Sequence, residues 1–194
     1  MKKFLLKVVS LITVTSLMLL AILNLSGCKK DAYFVEMKVR DFGTVVIELY
    51  PDVAPKTVDN FVTLVDEGFY DGLSFHRIMA NFMIQGGMPD KNSRKVDTIF
   101  GEFAENGFEN NLSHTRGVIS MARTDEFDSA SSQFFICNAD YPYLDGNYAA
   151  FGKVIEGIEV VDAITEYGVR YTINGIIYYE EYRPVIESMR LVDR

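Results

Sequence analysis

From Tyr33 onward the chain is cut into short apolar runs separated by Gly, Asn, Asp and Pro, and this punctuation limits the fold more than any other feature. Tyr33, Val35, Met37 and Val39 alternate with Phe34, Glu36, Lys38 and Arg40, the period of two expected of a half-buried strand. Asp41-Phe42-Gly43 supplies turn chemistry before a β-branched run, Thr44 to Leu49, so the two runs predict a hairpin. Further strands are predicted at Gly117 to Ala122, Gln133 to Cys137, Phe151 to Ile155 and Val185 to Val192, and one is allowed at Thr98 to Phe103. Helical spacing occurs twice: after Pro55 (Val58, Phe61, Val62, Val65, with Gly68 as the stop) and over Gly157 to Thr165. About eight short strands and two helices, with no phosphate-binding glycine loop and no internal repeat, predict an antiparallel barrel or sandwich. Periodicity does not choose between them.

The N-terminus reads as a separate unit. Lys2, Lys3 and Lys7 precede an apolar run from Val8 to Leu25, which ends at Leu25-Ser26-Gly27-Cys28. This is the pattern of a secretory signal, with a retained membrane anchor as the competing reading. Small residues directly before a cysteine resemble a bacterial lipobox, in which residues 1–27 are removed and Cys28 is acylated, for example with palmitate. The expected organisation is a signal peptide over 1–27, a lipidated tether over 28–32 and one folded domain over 33–194. The protein would then be exported and held by a lipid anchor on the extracytoplasmic side of a bacterial membrane. Losing the three lysines leaves 16 of 19 basic residues against 27 acidic ones, a formal charge of −11 on 167 residues. Such acidity argues against nucleic acid as a partner. An acylated Cys28 leaves Cys137 without a disulfide partner, and with His76 and His114 as the only histidines a metal site is not expected.

Phe75 to Gly87 stands out. It predicts two strands joined at Ala80-Asn81, apolar at Phe75, Ile78, Phe82 and Ile84, yet with Arg77 inside the first run and Gln85 closing the second. A buried arginine is costly unless something uses it. Two readings follow: a core hairpin whose arginine pairs with a carboxylate, or one wall of a concave apolar site with a few placed polar groups.

Five fragments occur in order: Phe75-His76-Arg77-Ile78, Phe82-Met83-Ile84-Gln85-Gly86-Gly87, Gly117-Val118-Ile119-Ser120-Met121-Ala122, Ser132-Gln133-Phe134-Phe135-Ile136, and Leu144-Asp145-Gly146 followed by Phe151-Gly152-Lys153-Val154. Together they resemble the cyclophilin-type peptidyl-prolyl cis–trans isomerases, over roughly residues 33 to 193. Asn106 to Leu112 and Met121 to Thr124 resemble the bacterial branch in particular. The resemblance implies a mainly β fold, an eight-stranded antiparallel closed barrel capped by two α-helices. It implies no cofactor and no metal, and proline-containing polypeptides as substrates.

Rotation about an Xaa–Pro bond meets a barrier of ~18–20 kcal/mol because the amide loses resonance as it twists. No covalent bond breaks, so neither nucleophile nor metal is required. In the twisted form the proline nitrogen regains a lone pair, and an always-charged donor in an apolar groove suits it. Arg77 matches the family's catalytic arginine in that task. Phe82, Met83, Phe135 and Leu144 match the proline pocket, and Gln85 matches the glutamine that holds peptide backbone. Ala122, Arg123 and Gln133 match positions that bind residues preceding the proline. Tyr143 stands where many members carry the tryptophan that hydrogen-bonds the family's cyclic undecapeptide inhibitor, which implies weaker inhibition here. Tyr148 replaces a frequent histidine and can still wall the pocket with its ring. His76 and His114 are expected to be structural. The segment Tyr171 to Tyr182 departs from the family pattern and predicts an extra hairpin turned by Asn174-Gly175. A non-catalytic proline-peptide binding module or holdase at the membrane surface is the alternative function.

Overall fold

The computed structural model describes residues 32–90, 93 and 95–194; the expected signal peptide, Cys28 and all of the tether except Ala32 lie outside the described residues. Among the described residues no helix is long and apolar enough to cross a membrane. In chain order the elements are β1 (Tyr33–Val39), β2 (Gly43–Leu49), α1 (Pro55–Asp66), β3 (Arg77–Met79), β4 (Met83–Gly86), β5 (Val118–Met121), β6 (Phe134–Cys137), β7 (Ala150–Glu156), α2 (Ile158–Gly168) and β8 (Ile186–Val192). The strands form one eight-stranded antiparallel sheet in the order β3-β4-β6-β5-β7-β2-β1-β8.

The alternation read in β1 becomes burial: Val35, Met37 and Val39 are at most 2% exposed. β1 and β2 pair from Tyr33 opposite Leu49 to Val39 opposite Gly43, closed by a turn in which Asp41 takes a positive φ of 66°. Helix α1 buries Val58, Phe61, Leu64 and Val65 against the sheet. Phe61 lies 5.1 Å from the Phe151 ring, 5.1 Å from Tyr70 and 5.6 Å from Phe134, so one helical residue gathers the aromatic core. Helix α2 starts from Gly157, whose φ of +78° suits glycine and where a Cβ would lie 2.2 Å from the Thr44 carbonyl oxygen. It buries Val160, Val161 and Ile164.

The structure corrects two expectations. The closed barrel is a curled sheet whose outer strands, β3 and β8, do not form a ladder; an isolated bridge, Ser74–Val185, links the edges, supported by Gly72 N–H to Ile186 O (2.8 Å) and Phe75 N–H to Pro184 O (2.9 Å). β3 has only three residues, and Pro184 has no N–H to extend the pairing. Thr98 to Phe103 is not a strand. Its backbone is tied to a loop instead, with Ile99 N–H bonded to Ala130 O (2.8 Å) and Gly101 N–H to Asp128 Oδ1 (2.9 Å).

The 98–103 segment has a structural task of its own. Ala54, at the start of α1, carries no capping oxygen. The fully buried Glu102 supplies one from 45 residues away, accepting Lys56 N–H (3.0 Å) and Thr57 N–H (2.8 Å). Replacing it leaves buried helix donors unpaired. Glu102→Ala is expected to lower the unfolding free energy by about 2 kcal/mol in urea titrations, and Glu102→Gln, which keeps one acceptor, by less. Equal stability of Glu102→Ala and wild type contradicts the cap.

Candidate active site

Residues directly opposite each other in an antiparallel sheet share a face. Arg77 on β3 pairs with Gln85 on β4, Gln85 with Phe135 on β6, and Phe135 with Ser120 on β5. One row along, Met79, Met83 and Cys137 align in the same way. The alternate residues Ile78, Ile84, Ile136 and Ile119 are fully buried and form the opposite, core face. One set of strands therefore builds the core with one face and a mixed polar and apolar surface with the other.

On that second face Met83, Phe135 and Cys137 form a small apolar cluster separate from the main core, with Met79, Phe82, Ala122, Leu144 and Tyr148 packed around it. A cavity of about 80 Å³ opens here. Phe82, Met83, Phe135, Leu144 and Tyr148 wall it, and Arg77, Gln85, Ala122 and Arg123 line the rest. It is far smaller than the ~300–1,000 Å³ of pockets that take drug-sized ligands. Its size suits one small apolar ring. Phe135 forms the floor, with Tyr148 set edge-on at 5.8 Å.

The polar groups are held in a chain. The Arg77 guanidinium donates to Gln85 Oε1 (3.2 Å) and to Met79 Sδ (3.3 Å), and stands 5.8 Å from the centre of the Phe82 ring. Gln85 Nε2 donates in turn to Gln133 Oε1 (3.0 Å), so Gln133 stands behind Gln85 and is not itself part of the cavity wall. Arg77 carries five N–H donors, of which these bonds use two. No carboxylate neutralises it in the described ion pairs, the pairing that a core-hairpin reading calls for. Arg123 packs 4.9 Å from the Tyr148 ring and is fixed by the Asn147 carbonyl (2.9 Å).

Nine of the expected substrate-contact and catalytic residues are thus brought to one cavity, and Gln133 to its support. Tyr143 is not. It is 85% exposed, lies 5.9 Å from the Tyr141 ring and does not line the cavity. Cys28 lies outside the described residues. Among the described residues no group of three His, Cys, Asp or Glu side chains could hold a metal ion.

Behind the cavity floor the structure adds a group that the sequence did not reveal. The buried His114 ring lies 6.0 Å from Phe135 at 17°, nearly parallel. Its Nδ1 bonds Asp145 Oδ1 (2.8 Å) and its Nε2 bonds Ser120 Oγ (3.0 Å). A neutral ring satisfies both, with Nδ1–H donating and Nε2 accepting from the hydroxyl. Burial pushes the His114 pKa down despite the opposing pull of Asp145. This has the connectivity of a nucleophilic Ser-His-Asp relay, but Ser120 is fully buried and no substrate reaches it. The network braces Phe135. Finding it from sequence needs the strand pairing that sets Ser120 opposite Phe135, which no local pattern contains.

The family model for cyclophilin type peptidyl-prolyl cis-trans isomerase/CLD matches residues 34–179. The peptidyl-prolyl cis-trans isomerase ppi1 of Schizosaccharomyces pombe is 44% identical over 119 residues, 61% of this chain and 76% of that protein. A peptidyl-prolyl cis-trans isomerase of Acinetobacter baylyi is 47% identical over 135 residues, 67% of this chain and 70% of that protein. Near-equal identity to a fungal and a bacterial relative does not single out the bacterial branch. Among solved structures, a Cryptosporidium parvum cyclophilin type peptidyl-prolyl cis-trans isomerase superposes with a TM-score of 0.72 at 24% identity, covering 84% of this chain and 99% of the other. A crystal structure of the same protein in the presence of the dipeptide Ala-Pro gives 0.70 at 25% identity, covering 83% and 99%.

His76, beside Arg77 in the chain, does not line this cavity; it is 7% exposed and borders a separate depression with Met88 and Arg183. Burial, with the Arg183 and Arg77 charges adding to it, holds His76 down at about 4. An unfolded chain has an ordinary histidine pKa of ~6.5. Between these values the unfolded state binds a proton that the folded state does not. Stability from this group is complete above ~pH 6.5 and is lost as pH falls toward ~4. A loss of about 2–3 kcal/mol is expected across that window in urea unfolding. His76→Gln should flatten the slope, and an unchanged slope contradicts the assignment.

Proposed function

The chain belongs to the cyclophilin-type peptidyl-prolyl cis–trans isomerase family, and from that premise we propose that it turns over Xaa–Pro bonds by hydrogen bonding Arg77 to the twisted prolyl amide. The observation that carries this reading is a guanidinium held by Gln85 and Met79, with donors to spare, at the rim of an apolar cavity sized for one ring. The proline ring sits on Phe135 between Phe82, Met83 and Leu144. Gln85, Ala122 and Arg123 hold the backbone that precedes it, with Gln133 as support for Gln85. As the C–N bond rotates, the nitrogen pyramidalises and accepts an Arg77 N–H. This bond is absent in both planar forms, so it lowers the barrier without holding substrate or product. Ala-Pro, present with the Cryptosporidium parvum protein, is the minimal chemistry that such a cavity would take.

The N-terminal pattern supports export and anchoring: Lys2, Lys3 and Lys7, the apolar run and Leu25-Ser26-Gly27-Cys28 suit cleavage before an acylated Cys28. The isomerase would then serve secreted or surface proteins whose folding waits on proline. Asn106 to Leu112 supports placing it in the bacterial branch.

In a protease-coupled proline-peptide assay, Arg77→Ala is expected to lower kcat/KM by about 10²–10³-fold, the loss typical of removing one preorganised donor to a developing charge. Unchanged turnover in the variant ends the assigned role for Arg77, and absence of turnover in wild type leaves the binding-module alternative. Separately, Cys28→Ala is expected to move the protein from the membrane to the soluble fraction of its native host; persistence at the membrane contradicts acylation.

A further inference from the structure

The outer edge of β3 is covered by residues 175–177, part of the segment that departs from the family pattern. Arg77 and Ile176 form a bridge, flanked by Ile78 N–H to Gly175 O (2.7 Å) and Ile177 N–H to His76 O (2.9 Å). These flanking bonds make Arg77–Ile176 a non-hydrogen-bonded pair, the kind that brings Cα atoms closest, to ~4.5 Å, with both side chains on one face. Ile173 and Ile176 then exchange backbone bonds (2.9 and 3.1 Å) around Asn174 and Gly175, whose φ values of 53° and 82° define the tight turn. Ile173 is therefore on the same face as Ile176 and Arg77. The turn packs on the site directly: a Cβ on Gly175 would lie 2.7 Å from Cγ of Met79, the residue whose sulfur accepts from Arg77.

Both isoleucines face solvent, Ile173 at 63% and Ile176 at 37% exposure. Covering the β3 edge accounts for the backbone pairing but not for these side chains, because protected edges ordinarily turn charged residues outward. Two β-branched apolar residues beside the arginine continue the site surface by one further strand.

We propose that Ile173 and Ile176 form a subsite for an apolar side chain three to four residues after the substrate proline. The inference rests on the reading of the cavity as the prolyl site. On that reading the residues preceding proline run past Gln85 toward Ala122 and Arg123, which follow β5. The sheet order β3-β4-β6-β5 puts the hairpin on the opposite side, so the chain leaving the ring crosses toward it. Three inter-strand steps separate the cavity floor on β6 from the hairpin beside β3, roughly 14 Å at ~4.8 Å each, which is about four extended residues at ~3.3 Å.

The test compares two peptides of one length, with leucine or with aspartate at the third and fourth positions after proline, by exchange NMR. Wild type is expected to favour the leucine peptide about fivefold in kcat/KM. Ile176→Thr keeps the β-branched shape and hairpin propensity but removes apolar surface, and should bring the ratio close to one; Ile176→Val should keep most of it. Equal rates for the two peptides in wild type overturn the subsite while leaving the prolyl site standing. An undiminished ratio in folded Ile176→Thr overturns it as well. Absence of turnover with either peptide overturns the prolyl site and the subsite together.

Discussion

A strand turns successive side chains to opposite faces, and the site depends on that alternation being held in register across four neighbouring strands. Ile78, Ile84, Ile136 and Ile119 all lie on one face and are fully buried. Arg77, Gln85, Phe135 and Ser120 pair in a row on the other. A slip of one residue in any strand exchanges the two sets. It would bury a guanidinium with no partner, at a cost of several kcal/mol. It would also expose an isoleucine that the main core otherwise buries. Core packing therefore enforces the geometry of the site, although none of these four isoleucines lines the cavity.

The same logic separates what the sequence reveals from what it does not. Arg77 and Gln85 are legible because they interrupt an otherwise apolar pattern, while Phe82 and Met83 between them are assigned through the family resemblance. Phe135 and Leu144 are legible only through family resemblance, since nothing local says that they meet a hairpin some 50 residues earlier. Tyr143 is placed away from the cavity for a related reason. Its motif position is right, but Leu144 alone turns inward from the short helical turn Pro142–Leu144, and Tyr143 points to solvent. Glu102 illustrates the strongest limit. The apolar spacing around it reads as a strand, and the tertiary demand of the helix start at Pro55 overrides that spacing. A cap supplied from 45 residues away has no signature in its own segment.

Geometry without access also misleads. Ser120, His114 and Asp145 have hydrogen-bond distances that suit nucleophilic catalysis. Burial gives them another meaning. The neutral imidazole is fixed at both nitrogens, lies flat behind Phe135, and cannot tilt without breaking two bonds in an apolar setting. Tyr148 holds Phe135 from a second direction. The cavity floor is rigid because polar groups that do no chemistry brace it from behind.

Rigidity matters for amide rotation in particular. The cis and trans forms of a prolyl peptide differ in where the chain leaves the ring, and a cavity that tightened equally on both would raise affinity without raising rate. What must differ is the interaction with the nitrogen lone pair, which exists only near the top of the barrier. A guanidinium presents donors in a fixed plane, whereas a lysine ammonium would swing to follow either planar form. Gln85, itself held by Gln133, and Met79, pressed by the Asn174–Gly175 turn, constrain that plane from two sides. Each tenfold of acceleration needs only ~1.4 kcal/mol of such selectivity. On the proposed mechanism, a single charged hydrogen bond from Arg77, oriented before the substrate arrives and set beside the Phe82 ring, would supply several such factors.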